Sequence, residues 1–485
     1  MYWPSLQSPG IKNLGGAWAL AAIFALQLAT FFLFLIEPVL AAALAAGLAA
    51  AGAVLVSPLA GVALLIAARL FTTGAIVFTR IGSFGIGPYE LVLVLCAFAV
   101  VVRASLDRLP LNIQFPWRAP FLALFGWICL SLSWSVSRSD GVTDILPLVL
   151  VMANVGAILA FVRTWRDFLW MVRAWLLTCV AIGLVTILID QLGITVGVSF
   201  KAAESGGRET GLGQQPNWCA MNLFFVIPAA FGLALVERQL WARLAAVVGG
   251  LFVMFSMLGA GSRGGAYATV IGVALTALGH PTLRRYLVGI GGVSAVGVIA
   301  SAILDIGGIG RALGRIALGV SLEQNYRPWN WTACVQMFTD TYGRGIGAGG
   351  YETLLPEYNY LLSQSLYTYP HGIFWEVMAH YGIVGLGLVT WLVLVVIKMS
   401  AETIRLARGT EAVVFAWAFP ASMLGYVAWS FVEFTLAEKP FWEWLALYTA
   451  LALALQRGER PPAWGAKPAV TGAIVAPRST QSPLP

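Results

Sequence analysis

The stretch NYRPWNWTACVQMFTDTYGRGIGAGGY (residues 325–351) decides the fold, because it interrupts an otherwise apolar chain. It belongs to a longer interval, from about residue 303 to residue 372, in which charged residues recur too often for the interior of a bilayer. Long loops inside compact structures are usually functional or disordered. Eight aromatic residues lie between Tyr326 and Tyr369, which argues against disorder. We therefore expect a folded polar segment between two sets of membrane helices.

The composition places the chain in a membrane. Of its 485 residues, 59% are hydrophobic and only 11% are charged, which is outside the range of soluble domains. The apolar runs have about the length that an α-helix needs to cross the hydrocarbon core, roughly 17 to 25 residues. We predict an all-α polytopic membrane protein with about 12–14 transmembrane helices and one large extracytoplasmic loop. The runs lie at about residues 16–36, 38–56, 58–79, 87–103, 118–134, 145–163, 168–190, 217–236, 242–260, 265–280, 285–304, 373–397, 412–432 and 440–456.

The same pattern divides the chain into four parts. Residues 1–304 form the N-terminal transmembrane helices, residues 305–372 form the extracytoplasmic loop, and residues 373–456 form the C-terminal transmembrane helices. Residues 457–485 are rich in Pro, Ser and Thr, so we predict a disordered cytoplasmic tail. The extracytoplasmic loop would cap the functional site.

The distribution of cations predicts the orientation. From Arg103 onward every second short loop is basic, including those with Arg163 and Arg238. Cytoplasmic loops keep an excess of Lys and Arg, so both termini are predicted to be cytoplasmic and the loop of residues 305–372 to lie on the opposite face. The formal charge of +7 is scattered over short loops, which argues against a nucleic-acid partner.

Four cationic or titratable side chains are predicted to share the outer face: Arg208, Arg263, Arg327 and His371. Arg263 is flanked by glycines at the start of a predicted helix, where a polyanion can approach the backbone and the helix N-terminus favours phosphate. Each arginine also has a purely structural interpretation. Arg263 could snorkel at the interface, Arg327 could stack on Trp329, and Arg208 could pair with a neighbouring glutamate.

His371 is the strongest candidate for chemistry. It lies at the start of a predicted helix, where the dipole disfavours imidazolium and suits a neutral general base. The alternative is that it packs at the interface, as lone histidines usually do. His371 and His380 are nine residues apart, off the usual metal-ligand spacings, and the five cysteines show no CxxC pattern. No metal site, cofactor or disulfide framework is predicted.

Several short motifs occur in a fixed order between residues 200 and 390. They are Arg208-Glu209-Thr210-Gly211 with Gln215-Pro216-Asn217, Ser262-Arg263-Gly264-Gly265, Arg327-x-Trp329, Gly345-Ile346-Gly347-Ala348-Gly349-Gly350-Tyr351, and Pro370-His371 before a helix that includes Tyr381-Gly382-Ile383-Val384-Gly385. Together they resemble the O-antigen ligase and O-antigen polymerase superfamily, whose members are bacterial membrane glycan transferases of the GT-C type. The pattern departs at Gly372, where the family commonly has Asn, and at His380, where it often has an acid. The acid partner of His371 is therefore open, with Glu376 a candidate one turn along.

The resemblance implies a metal-independent, inverting glycosyltransferase of the ligase type in the bacterial inner membrane. It would transfer an undecaprenyl-diphosphate-linked glycan to a hydroxyl of a glycan or lipid A core acceptor, on the periplasmic face. Arg263, Arg327 and Arg208 would hold the diphosphate, and His371 would be the catalytic base. The resemblance and the surrounding sequence add five supporting residues: Ser262, Gly264, Trp329, Glu376 and Tyr369.

Two other functions compete with a ligase. A repeat-unit polymerase for O-antigen or exopolysaccharide would use the same donor chemistry, and no motif identifies the acceptor. A lipid-linked oligosaccharide transporter, or flippase, would also need arginines for the diphosphate. Such a transporter should carry ionisable groups near the bilayer midplane, often at discontinuous helices. Most predicted spans have no charge in their middles apart from Arg173, which favours an enzyme.

Overall fold

A computed structural model describes residues 57–69, 79–81, 84–106, 114–192, 216–282, 284–285, 326–363, 369–433 and 435–464, with isolated positions 52, 54, 292 and 299. The predicted helices at residues 16–36, 38–56 and 285–304 fall wholly or almost wholly outside these ranges. The same holds for Arg208, for residues 305–325 and for the predicted tail beyond residue 464.

Helices dominate the described residues, with one short hairpin. The elements are α1 (Pro58–Ala68), β1 (Thr79–Ile81), β2 (Phe84–Ile86), α2 (Pro88–Leu106), α3 (Arg118–Ser131), α4 (Arg138–Phe161), α5 (Trp165–Leu192), α6 (Pro216–Phe224), α7 (Val226–Val236), α8 (Leu240–Gly259), α9 (Arg263–Gly279), α10 (Arg327–Asp340), α11 (Gly350–Tyr358), α12 (Tyr360–Ser363), α13 (Ile373–Ala407), α14 (Val413–Ser430) and α15 (Lys439–Gln456).

The prediction of a helical membrane protein is confirmed. Within the described ranges, six helices are long and apolar enough to cross a membrane: Arg138–Phe161, Trp165–Leu188, Pro216–Val236, Leu240–Gly259, Ile373–Ala407 and Val413–Ser430. Of the predicted span at residues 58–79, α1 covers Pro58–Ala68 and residues 70–78 lie outside the described ranges; β1 begins at Thr79 and pairs antiparallel with β2. The described part of the predicted outer loop contains the short helices α10, α11 and α12.

Helix α15 forms the centre of the bundle. Its residues from Trp442 to Ala452 are all buried by protein. Trp444 stacks on Phe419 of α14 at 3.8 Å between ring centroids and contacts Trp175 of α5 edge-on at 4.8 Å. Such aromatic pairs add specific geometry to the area they bury. The packing of α15 therefore fixes the described residues that lead into it, 431–433 and 435–438.

Helix α13 is broken inside the bundle, and the glycine-rich stretch fills the break. Gly382 has a φ of +64°, which interrupts the helix. The N–H of Ile383 donates to the carbonyl of Gly343, and the N–H of Gly347 donates to the carbonyl of His380, each at 2.9 Å. A Cβ on Gly345 would lie 2.5 Å from the same His380 carbonyl. The glycines are thus required for backbone contact with α13, which satisfies polar groups that a helix break exposes.

Two sets of helix ends define the two ends of the bundle. At one end, which we call the site end, α6, α9, α10, α13 and α15 begin and α14 ends. Cation-rich loops meet at the other end. There, Arg457 Nη2 donates to the carbonyl of Arg163 at 2.7 Å, and Arg173 pairs with Glu237 at 2.6 Å. Arg173 is therefore neutralised by an acid on the α7–α8 loop.

Candidate functional site

A buried carboxylate, Glu433, organises the site end. Its side chain is 1% exposed and lies in the turn between α14 and α15. Asn217 Nδ2 donates to Oε2 at 2.7 Å, and Arg327 Nη2 also donates to Oε2. Tyr369 Oη donates to Oε1 at 2.8 Å, and His371 Nδ1 lies 3.4 Å from the same oxygen. We call these five residues the Glu433 cluster.

The local sequence explains why these side chains converge. Asn217 follows Pro216 at the start of α6, and Arg327 precedes Pro328 at the start of α10. Proline suits the first turn of a helix because its missing N–H would have no partner there. His371 lies two residues before α13 begins. Three helix starts and the turn before α15 therefore deliver one residue each to a single point, and Tyr369 completes the set.

The backbone and ring of His371 are held firmly. The residue has a φ of +53°, which is uncommon for a residue other than glycine. Its carbonyl accepts a hydrogen bond from Trp331 Nε1 at 3.2 Å, and its ring lies 3.7 Å from that of Tyr369, centroid to centroid. The side chain is 4% exposed. Glu433 faces Nδ1, so Nε2 is the ring nitrogen that points away from this carboxylate.

The backbone conformation beside His371 explains why residue 372 is a glycine. Its φ is +148°, and a Cβ there would lie 2.7 Å from the carbonyl oxygen of Phe431. The same carbonyl accepts a hydrogen bond from Trp375 Nε1 at 3.0 Å. An asparagine, the residue common in the family it resembles, would be strained at this position. The chain at residues 371–372 thus packs against the end of α14 more tightly than a side chain would permit.

Glu433 stays ionised despite its burial. Burial alone would raise its pKa, but the hydrogen bond with His371 and the charge and hydrogen bond of Arg327 outweigh that effect and lower the pKa to about 2. A buried carboxylate is tolerated when it is paired and hydrogen-bonded on both oxygens. The Glu433 cluster therefore contains an ionised carboxylate at neutral pH, which offsets the charge of Arg327 and faces His371.

Arg263 lies at the same end of the bundle but outside this cluster. It is the first residue of α9, where the Ser262 side chain caps the helix by accepting from the N–H of Gly265 at 3.3 Å. A Cβ on Gly264 would lie 1.9 Å from Trp429 Nε1, so the glycine lets α9 pack directly on the last turn of α14. Arg263 is partly exposed, and its guanidinium forms no hydrogen bond or ion pair with any described residue. It is a cation at a helix N-terminus, available for an anion.

The acid partner of His371 is Glu433, which the sequence analysis missed. The candidate Glu376 instead accepts a hydrogen bond from the N–H of Leu436 at 2.8 Å. In the sequence, Glu433 looks like an acid that balances Lys439 in a short loop. In the structure, Lys439 instead pairs with Glu90 at 2.6 Å. The sequence contains one indication that Glu433 belongs to the site, because it falls on the predicted outer face. Nothing local joins it to a histidine 62 positions earlier.

Among the remaining predicted residues, two lie in the Glu433 cluster and Trp329 lies outside it. Tyr369 and Arg327 belong to the Glu433 cluster, as described above. Trp329 is 58% exposed, and its neighbour Trp331 is the one that contacts the site, where it also stacks on Trp375 at 5.3 Å. The alternative interpretation of Arg327, stacking on Trp329, gives way to an ion pair with Glu433.

The expectation that most spans have no charge in their middles apart from Arg173 omits one buried ion pair. Arg69, in the middle of the predicted span at residues 58–79, is 1% exposed and pairs with Glu443 of α15 at 3.1 Å. Glu443 is 0% exposed. An apolar run hides such a pair because each member is a single charge among many hydrophobic neighbours. This pair lies apart from the Glu433 cluster.

The described ranges contain no group of three or more His, Cys, Asp or Glu side chains placed to hold a metal ion. All five cysteines are free thiols. No protein-family model matches this chain, and a search of curated proteins finds no match. The resemblance to the O-antigen ligase and polymerase superfamily therefore stays a prediction based on motifs.

Proposed function

We propose that this protein is a membrane glycosyltransferase of the O-antigen ligase type. It transfers an undecaprenyl-diphosphate-linked oligosaccharide or polysaccharide to a hydroxyl group of a glycan or lipid A core acceptor. The observation that carries the proposal is the pairing of His371 with an ionised, buried carboxylate, Glu433, at the end of the bundle where α9 begins with Arg263. A histidine oriented by a carboxylate is a general base in many transfer enzymes.

In the proposed reaction, Glu433 accepts a hydrogen bond from Nδ1–H of His371, which leaves the Nε2 lone pair for the acceptor. Nε2 takes the proton of the acceptor hydroxyl as its oxygen bonds to the anomeric carbon of the donor. The bond between that carbon and the diphosphate oxygen breaks, and the diphosphate leaves with the electron pair. Attack from the opposite face inverts the anomeric centre. Glu433 stabilises the imidazolium that forms.

Arginines would stabilise the leaving diphosphate. Guanidinium groups bind phosphate oxygens bidentately and stay charged at any physiological pH. Arg263 supports this role because it is partly exposed at the N-terminus of α9, beside the backbone N–H groups of the first turn. Arg327 contributes from the Glu433 cluster, where its side chain is 29% exposed. Arg208 lies outside the described residues and remains a proposed third contact.

The proposed orientation follows from the charge pattern of the loops. The basic loops that carry Arg163, Arg238 and Arg457 would be cytoplasmic under the positive-inside rule. The site end would then face the periplasm of the bacterial inner membrane, with both termini in the cytoplasm. Lipid-linked donors would enter from the surrounding membrane.

A polymerase acting on repeat units remains a second candidate, since it needs the same donor chemistry. A transporter of the same lipid is favoured by two specific observations: the buried pair of Arg69 and Glu443, and the break in α13 at Gly382. Buried charges and discontinuous helices are typical of transporters. The Glu433 cluster has no evident use in transport, however, so we rank an enzyme first.

A glycan profile separates these functions. A strain lacking the gene is complemented with wild-type protein, with H371A, or with H380A as the matched buried-histidine control. Loss of a ligase leaves long lipid-linked polymer unattached, loss of a polymerase leaves single repeat units, and loss of a transporter traps the precursor on the cytoplasmic leaflet. The proposal predicts that H371A reproduces the ligase defect at normal protein levels. Full complementation by H371A would contradict it.

A further inference from the structure

A second buried polar cluster lies deeper in the bundle and has no part in the reaction just described. Glu443 accepts at Oε2 from Arg69 Nη1 at 3.1 Å, and at Oε1 from both Tyr89 Oη and Asn154 Nδ2 at 2.7 Å. Arg69 Nη2 donates in turn to the carbonyl of Asn222 at 3.2 Å. We call these five residues the Glu443 cluster.

The cluster is costly to bury. Replacing a buried ion pair by well-packed apolar side chains is often neutral or stabilising, so such a pair is weak support for the fold itself. Ionisable groups inside membrane helices are rare and usually functional. Here both oxygens of the carboxylate are satisfied, and the Arg69 guanidinium also lies 4.4 Å above the Trp175 ring. The arrangement is therefore well defined in direction and distance.

Two structural links join the Glu443 cluster to the Glu433 cluster. Helix α6 carries Asn217, which binds Glu433, and Asn222, which binds Arg69. These residues are five positions apart, about 7.5 Å along a helix. The second link is the chain from Glu433 to Glu443, where Trp442 Nε1 donates to the carbonyl of Leu436 at 2.8 Å. The two clusters and the two links form a closed loop of contacts.

We propose that Glu443 and Arg69 are positioning residues for the Glu433 cluster. They fix the rotation and depth of α15 relative to α6, and so hold Glu433 against His371. Hydrogen bonds are directional, whereas apolar contacts along a helix permit small slides and rotations. This inference rests on the proposed function for its catalytic consequence, although the coupling between the two clusters can be tested without it.

The test is the double variant R69M/E443L, which replaces the ion pair by apolar side chains of similar size. Purified protein is compared with wild type for thermal unfolding, for kcat and donor KM, and for the rate at which diethyl pyrocarbonate modifies His371. His280, near the opposite end of the bundle against Trp464, is the internal control for the modification. The E433Q variant gives the reactivity of His371 without its carboxylate.

If Arg69 and Glu443 position the Glu433 cluster, the double variant should fold and keep the wild-type donor KM. Its kcat should fall about 10- to 100-fold, as expected for a misplacement of about 1 Å. The modification rate of His371 should move toward that of E433Q, while that of His280 stays constant. Wild-type kcat and wild-type His371 reactivity in a folded double variant would overturn the proposal. If wild type transfers no glycan, the proposed function fails, and the His371 rates alone decide the coupling.

A milder variant covers the case in which the double variant does not fold. Y89F removes one hydrogen bond to Glu443 and should change His371 reactivity and kcat by about threefold. The matched control is Y448F, whose hydroxyl contacts the carbonyls of Ser400 and Ala416, away from both clusters. If Y89F and Y448F change the modification rate of His371 to the same extent, the coupling is rejected.

Discussion

Replacement of Glu433 by glutamine tests the centre of the site directly. The ordinary pKa of a glutamate, 4.5, is lowered to about 2 in the folded protein by His371 and Arg327, against the effect of burial. This difference corresponds to about 3 kcal/mol of stability. Because the folded-state pKa is the lower one, the stabilisation is fully present above about pH 4.5 and is lost as the pH falls through about 2.

We therefore expect E433Q to lose about 3 kcal/mol of unfolding free energy at neutral pH. The variant also leaves Arg327 partly buried without its anion. The measurement is a denaturant titration in mixed micelles at several pH values, for wild type and variant side by side. The difference between them should shrink steadily below about pH 4.5, because Glu433 of the unfolded wild-type chain takes up a proton there, whereas in the folded protein it does so only near pH 2. A difference that is negligible at neutral pH, or one that does not change with acid, would refute the pairing described here.

Three further predictions use the same structure. R263Q should raise the donor KM about tenfold or more at unchanged thermal stability. R327Q should lower both kcat and thermal stability, because it leaves a buried carboxylate unpaired. Steady-state kinetics and thermal unfolding distinguish the two variants. G372N should destabilise the protein by about 1–3 kcal/mol, because its positive φ and the adjacent carbonyl leave no room for a side chain, and the yield of folded protein measures this. G345A should displace the loop from α13 and lower the thermal stability, while G343A, with a similar φ but 3.4 Å of clearance, should do so less.

The helices could be predicted from the sequence because their signal is local. The runs at residues 118–134 and 412–432 correspond to α3, Arg118–Ser131, and α14, Val413–Ser430. An apolar run of sufficient length forms a helix in lipid almost regardless of the rest of the chain. Of the run at residues 58–79, the described helical part is α1, Pro58–Ala68.

The pairings within the site could not be predicted in the same way. Glu443 and Arg69 are separated by 374 positions, and no periodicity links them. Gly372 is a departure from the family pattern in sequence, yet its conformation and its contact with Phe431 make it necessary. Motifs identified His371 and Arg327 as residues of interest, whereas only the packing of α14 and α15 shows that Glu433 joins them.

If the proposed function holds, the charge balance of the Glu433 cluster distinguishes the roles of the two arginines. Glu433 is ionised and hydrogen-bonded to Arg327, so this pair presents little net charge to an incoming diphosphate. Arg263 has no anion beside it among the described residues, and the N-terminus of α9 adds partial positive charge. Arg263 thus supplies the uncompensated cation, and Arg327 chiefly holds Glu433 in place against His371. Under the proposed function, two arginines at the same end of the bundle would therefore have separable roles, one in binding the donor and one in orienting the base.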